Sequence, residues 1–239
     1  MHDLLWIRTL LALHIAAGSI AFLLAPTALF TAKGGKTHRR WGKIYFWAMA
    51  SVAVSGLVLA CHRPVLFLAL VAVFSFYNAF IGYRVLKMKH LATDRELDLR
   101  LDWTVGGGTF LASLALVVLA LWRPAWIQHM TIPGVVFGLL GMNISAGTLR
   151  SFTRPPQDKM FWWYGHLRGM IGSYIAAWTA FTVVTLGRFF GDAWYLWVIP
   201  TIIGVPAIVL TTGYYRKKFG RTKRAPGLPD ASQDAPLHA

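Results

Sequence analysis

The sequence predicts an all-α fold, an integral membrane bundle of seven transmembrane helices, and three observations predict it. Apolar residues make up 56% of the chain and charged ones only 14%, a balance unlike that of soluble domains. Seven apolar stretches approach the roughly 20 residues needed to cross about 30 Å of hydrocarbon at about 1.5 Å per residue. The loops between them alternate between strongly basic and nearly charge-free. Lipid cannot satisfy an open backbone, and a barrel would show alternating segments of about ten residues, so every span is expected to be helical.

The first span runs from Thr9 to Phe30. It is too long for the core of a signal peptide and no basic leader precedes it, so it is expected to remain as a helix. The second runs from Ile44 to Cys61 and the third from Val65 to Val85. The fourth, Trp103 to Trp122, follows Asp102 and contains Gly106, Gly107 and Gly108. The fifth, Ile132 to Leu149, carries Gly134, Gly138 and Gly141, and the sixth, Trp162 to Leu186, carries Gly165, Gly169 and Gly172. Small residues let helices approach closely, so spans four, five and six are expected to pack as a tight core. The seventh, Ala193 to Tyr214, contains Pro200 and Pro206, which are expected to bend it, as Pro26 bends the first. Trp6, Trp41, Trp103, Trp122, Trp126, Trp162, Trp163, Trp194 and Trp197 lie near span ends, where indole rings anchor at headgroup level. Residues 1–219 thus form the transmembrane domain, and residues 220–239, rich in Pro, Asp, Ser and Ala, are expected to be a disordered cytoplasmic tail.

The formal charge of +15 is a matter of topology, not of nucleic-acid binding. Lys33, Lys36, Arg39, Arg40 and Lys43 lie between spans one and two, and Arg84, Lys87, Lys89, Arg95 and Arg100 surround the third connection. Arg150, Arg154 and Lys159 follow span five, and six Lys and Arg residues from Arg216 to Arg224 follow span seven. The other connections carry only Arg63, Arg123 and Arg188. Cytoplasmic loops are enriched in Lys and Arg, so the N-terminus is expected outside and the C-terminus in the cytoplasm. The single Cys61 excludes an intrachain disulfide and any zinc cluster built on cysteines.

Polar residues inside a bilayer are expensive, so they carry the candidate site. His14 shares a face of the first span with Gly18, Ala21 and Ala25 and is expected to point into the bundle as an isolated outer site. His166 lies near the cytoplasmic end of span six, with Ser173 on its face and Arg168 close by. By depth, His38, Arg39, Asn78, Arg84, Asp102 and Asn143 are expected to converge with His166, Arg168 and Ser173 on one pocket open to the cytoplasm. The plainer alternative is a satisfied structural network in which Asp102 pairs with Arg168 and the asparagines bridge helices.

Three stretches carry a family resemblance: HIAAGSIAFLLAP from His14, HRRWGKIYFWAM from His38, and HLRGMIGSY from His166. They resemble the bacterial membrane proteins grouped as domain-of-unknown-function 2306, whose members often read HRRWMIRSY at the third stretch. Gly169 here stands for a bulky residue and Gly172 for a second arginine. The resemblance carries no established activity. It implies a multi-pass protein of the bacterial inner membrane and singles out His14, His38, Arg39, Gly42, Tyr45, His166 and Arg168.

Three functions are open to such a chain, one of them enzymatic. The first is binding or transport of a small anionic solute through the His/Arg pocket. The second is haem b binding for membrane redox, which requires two imidazoles at one depth. His14 and His166 differ in depth by roughly 15 to 20 Å at about 1.5 Å per residue, so the pairs to consider are His38 with His166 and His14 with His62. The third is a metal-dependent intramembrane hydrolase using Asp102, His38 and His166, which needs about three ligands at one depth. The expected partners are the lipid bilayer and a small-molecule ligand.

Overall fold

A backbone that leaves water must satisfy its own hydrogen bonds, and this chain does so with long helices. The computed structural model describes residues 2–62, 65–91, 97–127, 130–191 and 193–222. Seven long helices account for most of these residues: α1 (His2–Phe30), α2 (Lys36–His62), α3 (Leu66–Arg84), α4 (Arg100–Trp122), α5 (Thr131–Thr153), α6 (Phe161–Phe190) and α7 (Tyr195–Thr222). All seven are long and apolar enough to cross a membrane, and no strand occurs among the described residues. The helices extend beyond the apolar stretches, so α2 carries His38, Arg39 and Arg40 on its first turns. Helix α1 continues through Pro26, and α7 through Pro200 and Pro206. The tail expected to be disordered lies, from residue 223 onward, outside the described residues, as do Arg63 and Arg95.

The outer surface is apolar. Leu13, Leu23, Phe30, Trp47, Leu111, Leu121, Val184, Ile202 and Leu210 are all exposed, an arrangement that lipid tolerates and water does not. Of the expected anchors, Trp197 packs edge-on to Phe67 at 5.0 Å. Its ring fills the space between α7 and α3.

Helix contacts fix the arrangement. Helices α1, α2, α3 and α6 form a closed ring in which α2 touches α1 and α3, and α6 touches the same two. Helices α2 and α6 are therefore diagonal, and no Cα of one comes within 8 Å of the other among the described residues. Helices α4 and α5 pair with each other and join the ring through α3, while α7 packs on α6. This differs from the expected core of spans four, five and six. The glycines of α5 do meet α4, since a Cβ on Gly138 would lie 2.8 Å from the Ser113 carbonyl oxygen. Those of α6 instead meet α3, where a Cβ on Gly169 would lie 2.6 Å from Gly82 Cα. Gly107 and Gly108 face open space, because successive helical positions turn away from the contact that Gly106 makes.

Candidate functional site

Local structure at one end of the ring brings His38 and His166 together. Gly34, at φ +78°, turns the chain between α1 and α2 in a conformation that L side chains rarely adopt. The turn lays the first residues of α2 over the C-terminal end of α1. The last carbonyls of a helix lack intrahelical donors and carry partial negative charge. His38 Nδ1 donates to the Ala28 carbonyl at 3.0 Å, and Lys33 Nζ donates to the carbonyls of Ala28 and Leu29. Desolvation there pushes the Lys33 ammonium below its ordinary pKa. His166, early in α6, repeats the device on α3, with Nδ1 donating to the Gly82 carbonyl at 2.7 Å.

A carbonyl can only accept, so both histidines carry a proton on Nδ1. In the neutral ring Nε2 is then a lone-pair donor, and neither Nε2 makes a hydrogen bond among the described residues. The two rings lie 6.1 Å apart between centroids, at 75° to each other. Two helix-capping histidines thus meet across the diagonal of the ring, with His38 and Lys33 as the basic neighbours of His166.

Two turns further along both helices, Tyr45 and Ser173 share a hydrogen bond of 2.7 Å. The Ser173 hydroxyl also donates to the Met170 carbonyl at 2.8 Å, so its single proton is used and Tyr45 is the donor of the pair. Around this pair, Ala21, Ala25, Ala48, Met49 and Ala79 are buried together with Tyr45, and Met170, Tyr174 and Ala177 pack on them. Apolar packing therefore closes the ring from one turn below the imidazoles.

The other expected members of the pocket lie elsewhere. Asp102 is fully buried and paired with Arg84, whose Nε donates to Oδ1 at 2.9 Å and whose second nitrogen reaches Oδ2. Arg84 also reaches the Asp98 carbonyl at 3.3 Å. The expected Asp102 to Arg168 pair is thus replaced by one between neighbouring helices α3 and α4. Arg168 is exposed on the side of α6 that faces α7, its Nε donating to the Tyr164 carbonyl at 3.2 Å. Residue 168 stands about 200° around the helix from residue 166, at about 100° per residue, which removes it from the ring axis. Arg39 and Asn143 are exposed. Asn78 is buried and its amide donates to the Phe74 carbonyl at 3.0 Å, while its Oδ1 lies 2.7 Å from where a Cβ on Gly172 would sit.

At the opposite end, His14 Nδ1 lies 2.9 Å from Ser55 Oγ. The Ser55 hydroxyl donates to the Ser51 carbonyl at 2.5 Å, so it accepts from His14, and the pair ties α1 to α2. His62 does not join it. Its ring packs edge-on against Trp6 at 5.4 Å, and it lies seven residues beyond Ser55, about 10 Å along α2 at about 1.5 Å per residue. Among the described residues no three His, Cys, Asp or Glu side chains form a metal-binding group, so Asp102, His38 and His166 do not make the ligand set a hydrolase would need. Sequence reasoning missed Lys33, the Gly82 carbonyl and Arg84 as the partner of Asp102. Only the last had a signal, since Arg84 and Asp102 flank the same connection.

Fold and composition define a multi-pass membrane protein of seven apolar helices. Residues 11–103 match the family model described as "Predicted membrane protein (DUF2306)", a stretch covering most of α1, all of α2 and α3, and the first turn of α4. The chain resembles that family there, and His38 lies within the match while His166 lies outside it. No curated protein and no solved structure matches the chain.

Proposed function

We propose that the protein lies in a bacterial inner membrane with its N-terminus outside, and that it binds a small anionic solute between His38 and His166 at the cytoplasmic end of the four-helix ring. The observation that carries this reading is the meeting of the two imidazoles, each held by a backbone carbonyl, beneath a basic rim. Lys33 is the basic neighbour of His166 there, and Lys36, Arg39 and Arg40 are exposed on the first turns of α2. Fixed positive charge there raises the local concentration of anions and favours their binding.

Binding fits the ring better than passage through it. The Tyr45 to Ser173 bond and the alanine-rich packing close the axis below the imidazoles. Pro200 and Pro206 lie in α7, which stands outside the ring, so bending of that helix does not open the axis.

The test is a thermal-unfolding screen of the detergent-purified protein against inorganic phosphate and short-chain carboxylates. A ligand at about 100 times its dissociation constant stabilises the folded state by about 2.7 kcal/mol. One of these anions is expected to raise the unfolding temperature, His166→Ala to abolish that rise, and His14→Ala to leave it. A rise that survives both His38→Ala and His166→Ala would move the site elsewhere.

A further inference from the structure

We infer that α6 and α7 hold an anionic phospholipid on the lipid-facing side of the bundle, with its phosphate between the guanidinium groups of Arg168 and Arg216. This site goes beyond the solute reading and does not depend on it, because Arg168 faces α7 and not the ring axis.

Tyr164 builds the site. Its carbonyl accepts from Arg168 Nε at 3.2 Å, and the face of its buried ring carries the Arg216 guanidinium at 5.2 Å from the centroid. One residue thus holds two cations, and Arg216 is the charged group that acts on Arg168. Residue 168 starts one turn deeper than residue 164, about 6 Å at about 1.5 Å per residue. The bond to the Tyr164 carbonyl bends its side chain back toward the membrane surface, as long cationic side chains in lipid generally do. Arg168 and Arg216 are both exposed.

The missing partner is an anion. Two like charges against one residue repel, and an arginine at membrane depth needs a counter-charge. Among the described residues no carboxylate pairs with Arg168 or Arg216, the ion pair there being that of Arg84 with Asp102. Asp158, the acidic residue that acts on Tyr164, has its Oδ1 on the Met160 N–H. Each guanidinium carries five N–H donors in a planar fork that matches phosphate. Among the described residues only Arg168 Nε, of all these donors, makes a hydrogen bond.

The surroundings select a lipid over a free anion. Trp163 of α6 packs on Tyr215 and Phe219 of α7 at 4.5 and 5.3 Å, an aromatic floor of the kind that lies at headgroup level. Val209 and Ile202 precede Arg216 at seven-residue steps along α7, so they lie deeper on nearly the same face, and both are exposed. From Arg216 to Ile202 is about 21 Å at about 1.5 Å per residue, a length that an acyl chain spans. A phosphate gripped by the two arginines therefore has an apolar track leading from it into the bilayer, which a solute anion would not use. Basic pockets between transmembrane helices commonly take anionic head groups.

The full chain, purified in detergent, is titrated with phosphatidylglycerol, with phosphatidylcholine of the same acyl chains and with inorganic phosphate in separate arms, and bound molecules are counted by native mass spectrometry. One phosphatidylglycerol is expected to bind more tightly than any further copy and more tightly than phosphatidylcholine. Arg168→Gln and Arg216→Gln should each weaken that first binding by roughly tenfold or more, the effect of losing a hydrogen bond to a charged group. Lys217→Gln removes the same charge about 100° further round α7 and should weaken it by no more than about fivefold. Because both arginines grip one phosphate, the double variant should lose far less than the product of the two single losses. Arg216→Lys keeps the charge without the fork and should fall between the wild type and Arg216→Gln. Gel filtration identifies any variant that fails to fold, and Arg216→Lys then carries the test. Equal losses from Lys217→Gln and the arginine variants, or single losses that multiply in the double variant, would mean diffuse attraction to the basic tail and overturn the inference. Equal binding of the two lipids overturns it as well. So does inorganic phosphate that displaces phosphatidylglycerol at equal concentration, which would make this a site for a free anion.

Discussion

Tyr45 and Ser173 repeat, two turns deeper, the pairing of His38 with His166: both pairs join α2 to α6 across the ring at the same sequence offset. The hydroxyl pair is asymmetric, because Ser173 donates to the Met170 carbonyl and Tyr45 donates to Ser173. Removing the Tyr45 hydroxyl leaves Ser173 with an acceptor. Removing the Ser173 hydroxyl leaves the buried Tyr45 group without a partner.

Ser173→Ala should therefore destabilise more than Tyr45→Phe loses through its hydrogen bond. Stranding a buried donor costs about 1 to 3 kcal/mol, whereas interhelical hydrogen bonds in membranes average about 0.6 kcal/mol. Equilibrium unfolding in mixed micelles reads both values. Equal losses would show that the proton assignment is reversed or that water reaches the Tyr45 hydroxyl.

The contact between Gly82 and Gly169 leads to a second prediction. A Cβ at Gly169 would meet Gly82 Cα at 2.6 Å and the Asn78 carbonyl oxygen at 2.8 Å, and neither backbone can swing aside as a flexible side chain can. Gly169→Ala should cost about 1 to 3 kcal/mol, the usual cost of overpacking. Gly107→Ala meets nothing within 4 Å and should be neutral or stabilising by up to about 1 kcal/mol through helix propensity. Thermal unfolding of the two variants side by side checks the contrast.

Helix number and type were legible in the sequence because they depend on composition over about 20 residues, which bilayer thickness dictates. Depth was legible for the same reason, and it placed His38 level with His166. Rotation about each helix axis was not. Arg168 and Asn143 lie near the right depth but face away from the ring axis. Asp102 has the depth of Arg168 yet pairs with Arg84, because partner choice depends on which helices are neighbours, and no loop composition encodes that α6 packs on α3. The backbone acceptors Ala28 and Gly82 were invisible for a simpler reason, since any residue offers a carbonyl.

The ion pair of Arg84 and Asp102 yields a third prediction. Asp102 has no exposed side-chain area, whereas Arg84 retains 17%. Arg84→Ala strands a fully buried carboxylate and should cost about 3 to 5 kcal/mol. Asp102→Asn leaves an arginine that still reaches water and the Asp98 carbonyl, and should cost less. Replacing both, as Arg84→Met with Asp102→Leu, should recover most of the loss, because paired apolar groups of similar volume commonly replace buried ion pairs at little cost. A double variant no more stable than Arg84→Ala would mean that the pair orders the loop before α4 in addition to neutralising charge.

Cys61 turns the proposed orientation into a direct measurement. It is the only cysteine in the chain, it is exposed, and it lies at the end of α2 opposite His38. With the basic loops in the cytoplasm, that end of α2 faces the outside. A membrane-impermeant maleimide should therefore label Cys61 in spheroplasts without permeabilisation, and Cys61→Ser should abolish the labelling. A cysteine placed at the basic end of α2, as Lys36→Cys on the Cys61→Ser background, should react only after the membrane is opened. The reverse pattern would put His38, His166 and the basic rim on the outer face, and a solute reaching them would come from outside the cell.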